Sequence, residues 1–75
     1  MDPISLNGRL RSLVDELVEK GLTLEQARAE FERQYVVCSL QHHGGSIGRS
    51  ASALGIHRNT LRNKITKLKI EPTEY

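Results

Sequence analysis

Between Gly45 and Ile70 the chain carries Arg49, Arg58, Arg62, Lys64, Lys67 and Lys69 and no carboxylate at all. Set among these cations are His57, Asn59, Thr60, Asn63 and Thr66. An Arg guanidinium can bond guanine bidentately, an Asn amide can do so with adenine, and Lys, Thr or Ser can hold phosphate oxygens. Ordinary solvated helix faces mix both charge signs; this mixture of cations, amides and hydroxyls suits a duplex nucleic acid. The acids lie elsewhere. Residues 1–44 hold five Lys/Arg against seven Asp/Glu, and Glu71 and Glu74 bring the whole chain to a net +2. Such polarity suggests one end built for a polyanion and the other for a different task.

Other chemistry finds less support in the residues. Cys38 shares a helical face with His42, four positions later, but adjacent His42 and His43 point about 100° apart. Two ligands do not make a structural zinc site, which takes four, so no metal and no cofactor is expected. There is no Ser/His/Asp arrangement with context, no glycine-rich phosphate loop and too little chain for a cleft, which argues against an enzyme and against a small-molecule substrate. Cys38 reads as a small buried hydrophobe rather than a nucleophile. A single cysteine cannot form an internal disulfide, which fits a reducing cytoplasm.

These side chains need elements to position them. Leu6, Leu10, Leu13, Val14, Leu17 and Val18 recur at the spacing of one helix face, which predicts a helix over 6–20 that Gly21 ends, after a frayed start at residues 1–4. Thr23 with Gln26 three residues on makes a capping box, and Leu24, Ala27, Phe31, Tyr35 and Cys38 form an apolar stripe along a helix over 24–42. Val36 and Val37 fall outside that stripe and suggest a second buried face. Ser46 caps a short helix over 47–54 with Ile47, Ala51 and Leu54 inward. Gly55 supplies a tight turn, and a fourth helix opens at His57 or Arg58 and runs to about Leu68, with Pro72 just beyond in a short tail. On that last helix Leu61, Ile65 and Leu68 face inward, Asn59, Arg62, Asn63 and Thr66 lie on the far side, and Arg58, Lys64, Lys67 and Lys69 flank it. Two helices joined by a short Gly-containing turn form a helix-turn-helix.

The run Leu54-Gly55-Ile56-His57-Arg58-Asn59-Thr60-Leu61-Arg62-Asn63-Lys64, within a stretch from Gly45 to Ile65, resembles the Fis family. That family includes the factor for inversion stimulation and the C-terminal domains of nitrogen-regulation-type enhancer-binding activators. Tyr35 to Gly45 also fits the end of the family's second helix. The resemblance implies an all-α homodimer with its first two helices intertwined, and a guanine contact at Arg58. It also implies that His57, Thr60, Arg62, Asn63 and Lys64 lie against bases or phosphates, and that the start of the third helix, from Ser46 to Arg49, touches the backbone. Ile47 and Gly48 depart from the polar residues often found there, which implies fewer phosphate contacts from that end. The family's recombinase-activating β-hairpin arm has no room ahead of a helix that begins near residue 6, so no recombination activity is expected.

Seventy-five residues allow one all-α domain, 1–75, with a helical hairpin over 5–44 for dimerisation and a helix-turn-helix over 45–70 for DNA. With one Phe, two Tyr and no Trp, few large side chains are available for its core. A second copy would cover the apolar surface of the hairpin, placing Leu10, Leu13, Val14, Leu17, Leu24, Ala27, Phe31 and Tyr35 in a dimer interface. The expected DNA-contacting set is Ser46, Arg49, His57, Arg58, Asn59, Thr60, Arg62, Asn63, Lys64 and Lys67. No apolar run reaches the roughly 18 residues of a membrane helix, and the N-terminus lacks a signal-peptide layout, so a cytoplasmic, nucleoid-associated protein is expected. A compact bundle should hold the two reading helices closer than one DNA turn, which implies bending. Met1 and the compact first helix favour a complete small regulator over the C-terminal piece of a larger activator. Another class of function would make the acidic hairpin a protein-interaction module. RNA binding would call for exposed aromatics that the fourth helix lacks.

Overall fold

The computed structural model describes residues 3–75, with side chains from residue 6 onward. Its order is α1 (Pro3–Glu19), α2 (Leu24–His42), α3 (Ile47–Leu54), α4 (Arg58–Lys67) and a 3-10 turn (Pro72–Glu74), with no strand among the described residues. Local chemistry sets each boundary. The Thr23 hydroxyl accepts the Gln26 N–H at 3.1 Å, and the Gln26 side-chain oxygen accepts the Thr23 N–H at 2.9 Å. That reciprocal cap satisfies two otherwise orphan donors at the start of α2. Ser46 caps α3 by accepting the Arg49 N–H, and the His57 ring caps α4 by accepting the Asn59 N–H. Between α3 and α4, Gly55 sits at φ 72°, ψ 27°, a left-handed conformation that costs a side chain bearing Cβ about 1–2 kcal/mol and costs glycine almost nothing.

The first helix departs from the expected start. It begins at Pro3, where the missing N–H belongs to a group that would be unpaired in any case. Of the expected frayed residues 1–4, the first two lie outside the described residues and the other two are helical.

The core lies between the C-terminal half of α2, both helices of the helix-turn-helix and the tail. Val36, Val37, Leu40, Ala51, Leu61 and Ile70 are buried, and Ile47, Leu54, Ile56, Ile65, Leu68 and Tyr75 pack around them. Leu40 and Leu61 are fully covered. Burying each is worth roughly 1.5–3 kcal/mol. Ser50 is also fully buried, and its hydroxyl donates to the Ser39 carbonyl at 3.4 Å, tying α3 to α2.

The expected stripe on α2 is therefore not the face that the single chain buries. Leu24, Phe31, Tyr35 and Cys38 are exposed and Ala27 is half-buried. At 100° per residue Phe31 and Cys38 point to the far side of the helix from Val36 and Leu40. The side of α2 buried in one copy is that of Val36, Val37 and Leu40. Phe31 and Tyr35 touch each other, with ring centroids 5.8 Å apart at 36°, and present their outer surfaces to solvent. Among the described side chains of α1 only Leu17 is half-covered, while Leu10, Leu13 and Val14 stand open beside an apolar cleft shared with Phe31 and Tyr35.

The short tail beyond α4 docks onto α2. Ile70 is 5 % exposed, the Arg33 guanidinium donates to both carboxylate oxygens of Glu74 at 2.6 Å, and the Gln41 amide donates to the Glu74 carbonyl at 2.7 Å. The Tyr75 ring lies against Gly45, at the turn that leads into α3.

Candidate nucleic-acid interface

The inward stripe of α4 is fixed by Leu61, with Ile65 and Leu68 half-buried beside it, and this anchoring decides what the helix turns outward. Arg58, Asn59, Thr60, Arg62, Asn63, Thr66 and Lys67 are exposed, as is the capping residue His57. The His57 Nδ1 is occupied by the Asn59 N–H at 3.2 Å, which leaves Nε2 as the atom able to bond outward. The Thr66 hydroxyl donates back to the Arg62 carbonyl at 3.2 Å. The first turn of α4 contains no acid, so its exposed N–H groups and positive dipole end favour an anion.

At the start of α3, Arg49 is exposed and Ser46 is half-buried, its hydroxyl accepting the Arg49 N–H at 3.2 Å. That hydroxyl keeps its proton for a further acceptor. Arg49, Arg58 and Arg62 have no ion-pair partner among the described residues.

Two of the three lysines expected to flank the far face of α4 sit in a different setting. The Lys64 ammonium pairs with the Glu32 carboxylate of α2, and both side chains are about two-thirds covered. Lys67 lies near the same acids, acting on the carboxyls of both Glu25 and Glu32. The hydrogen bond from Lys64 is the main reason the Glu32 carboxyl titrates below its ordinary 4.5. Arg28 does the same for Glu25, through a contact of 2.7 Å. The expectation of a carboxylate-free surround thus holds along the sequence of α4 and fails in space, because α2 brings two acids to one flank. Nothing local signals this pairing; the partners are 32 residues apart.

Of the other residues weighed for chemistry, Cys38 is exposed and His43 donates from Nδ1 to the Ser39 carbonyl at 2.6 Å, closing the end of α2. Among the described residues no three His, Cys, Asp or Glu side chains come together as metal ligands, and no helix is long and apolar enough to cross a membrane.

Comparison with known proteins matches residues 27–68 to the family described as bacterial regulatory protein, Fis family. The chain is 38 % identical over 50 residues to the nitrogen assimilation regulatory protein NtrX of Azorhizobium caulinodans. That alignment covers 67 % of this chain and 11 % of the relative, so the chain spans about a tenth of that protein's length. No solved structure matches.

Proposed function

The chain belongs to the Fis family of bacterial regulatory proteins, and on that premise we propose that it binds double-stranded DNA as a homodimer, with α4 of each copy in a major groove. The observation that carries this is the outward side of α4, where Arg58, Asn59, Arg62 and Asn63 stand exposed on a helix rooted by fully buried Leu61. Arg58 reads a guanine edge and Asn59, Asn63, Thr60 and His57 lie against neighbouring bases or phosphates. Ser46 and Arg49, at the start of α3, hold the backbone.

The second copy is proposed because α1 is stranded without one. A 17-residue helix with Leu10, Leu13 and Val14 exposed has little to stabilise it in water. A symmetric partner would cover those residues together with Leu17, Leu24, Ala27, Phe31 and Tyr35, making a four-helix bundle. Two reading helices on so small a bundle sit closer than the roughly 34 Å of one DNA turn, and the duplex bends toward the protein to meet both. The elastic cost, on the order of 1–6 kcal/mol, favours flexible central base pairs that the protein never touches.

A role as the DNA-binding part of a longer regulator draws on the share of the relative covered, 11 %; the DNA contacts would be the same. Binding to a fluorescent duplex across a salt series tests DNA recognition. The logarithm of the binding constant should fall steeply with log salt, by roughly 0.9 per phosphate contacted. A flat response would move the function to the acidic helices α1 and α2 as a protein-docking surface.

A further inference from the structure

We propose that Glu32 and Lys64 form a strut that sets the roll of α4 against α2, which makes both positioning residues for DNA binding rather than DNA contacts; this rests on the DNA-binding role proposed above. The placement of Lys64 on α4 comes first. Taking Leu61 as the inward direction, Lys64 lies about 60° away, and Asn59 and Asn63 about 160° away on either side of the opposite face. Lys64 therefore points across the flank toward α2. Lys64 lines a cleft with Phe31, Tyr35, Val36, Leu54 and Ile56, and its ammonium pairs with the carboxylate of Glu32 at the same cleft.

The setting is poor for a phosphate. A backbone phosphate that approached Lys64 would meet the Glu32 carboxylate beside it and the Glu25 carboxylate near Lys67, both ionised at neutral pH. Arg28 and Lys67 balance those two acids, so the cluster is satisfied within the protein.

The setting is good for a mechanical link. Leu61 and Ile65, continued by Leu68 at the C-cap, form one apolar ridge along a ten-residue helix, and roll about the helix axis is resisted best by a contact off that ridge. Side-chain tips lie roughly 5–6 Å from the axis, so a roll of about 10° moves them by about 1 Å. Base-edge hydrogen bonds tolerate only a few tenths of that. A charge-assisted pair on one flank, tied to the long helix α2, resists that motion directly.

The experiment compares the unaltered chain with Lys64→Met, Glu32→Gln and the charge swap Glu32→Lys with Lys64→Glu. Residual dipolar couplings of α4 amides, measured without DNA, report its orientation on α2. They should shift in both single variants and return in the swap. Binding to a duplex enriched from random DNA by the unaltered chain should weaken about tenfold in each single variant and recover in the swap, with the salt slope retained throughout. A salt slope lower by about one unit in Lys64→Met, with tighter binding in Glu32→Gln, would make Lys64 a phosphate contact and overturn the strut. Unchanged couplings in both single variants would overturn it as well. Couplings that behave as expected in a chain that binds no duplex would leave the strut standing and defeat the DNA-binding role.

Discussion

Replacing Phe31 with Asp separates the chain's own fold from its association with a second copy. Phe31 is 57 % exposed and lies outside the buried cluster of Val36, Val37, Leu40, Ala51, Leu61 and Ile70. A phenylalanine presents ~200 Å², so on the order of 110 Å² of this side chain is available to a partner. At about 25 cal/mol per Å² that area is worth ~3 kcal/mol per copy. An isologous interface counts the substitution twice, giving ~6 kcal/mol or roughly a 10⁴-fold weaker dimer before any cost of burying the carboxylate. Within one chain Phe31 is not a member of the buried cluster, so the helix-turn-helix should stay folded. Sedimentation equilibrium should show a dimer for the unaltered protein and a single chain for the variant, and circular dichroism should retain a cooperative melt. A Phe31→Asp variant that sediments as the same dimer would refute the assignment of this face and place the contact between copies elsewhere.

Three stability measurements probe the elements that hold α4 in place. Gly55→Ala introduces a Cβ that meets nothing within 4 Å, so its cost is conformational alone. At about 1–2 kcal/mol it should lower the melting temperature by about 4–8 °C per kcal/mol, and an unchanged melt would mean the turn relaxes freely. Lys69 carries the opposite mismatch, a lysine at φ 56° just past α4, and Lys69→Gly should raise the melting temperature by a few degrees. Glu74 titrates below its ordinary 4.5, first because the Glu71 N–H donates to it and then because of Arg33. Its stabilisation is complete above the ordinary value and is lost as pH falls through the lower folded value. Glu74→Gln should therefore melt lower at pH 7 and converge with the unaltered chain in acid; parallel curves at every pH would show that the tail pair contributes nothing.

The elements with local signals were legible residue by residue. Thr23 with Gln26, Ser46 and Gly55 fix α2 and α3 at the boundaries their types imply, 24–42 and 47–54, and α4 ends at Lys67, one residue before the expected Leu68. The inward stripe of α4 also followed from its spacing, because Leu61, Ile65 and Leu68 differ in type from everything around them. Features that depend on distant partners were not legible. Helical spacing marked Phe31 and Tyr35 as apolar, but it could not say whether α3, α4 or a second chain would cover them. Val36 and Val37 gave the right face without a partner for it. The docking of the tail had no local signal, because Glu74 finds its place on α2 through contacts that span tens of residues. Glu32 is one of seven acids in residues 1–44 of the sequence, and only the folded chain brings it to Lys64.

The central claim is that the outward face of α4 reads base edges in a symmetric site. Selection from random duplex DNA with the unaltered chain and with Arg58→Ala tests it most directly. The unaltered chain should enrich a pseudo-palindrome with flexible, A/T-rich central steps. Arg58→Ala should lose about 1–3 kcal/mol of affinity and relax preference at one symmetry-related base pair in each half-site, leaving the rest of the motif intact. No enriched sequence, or the same motif from both chains with equal affinity, would contradict base reading by α4.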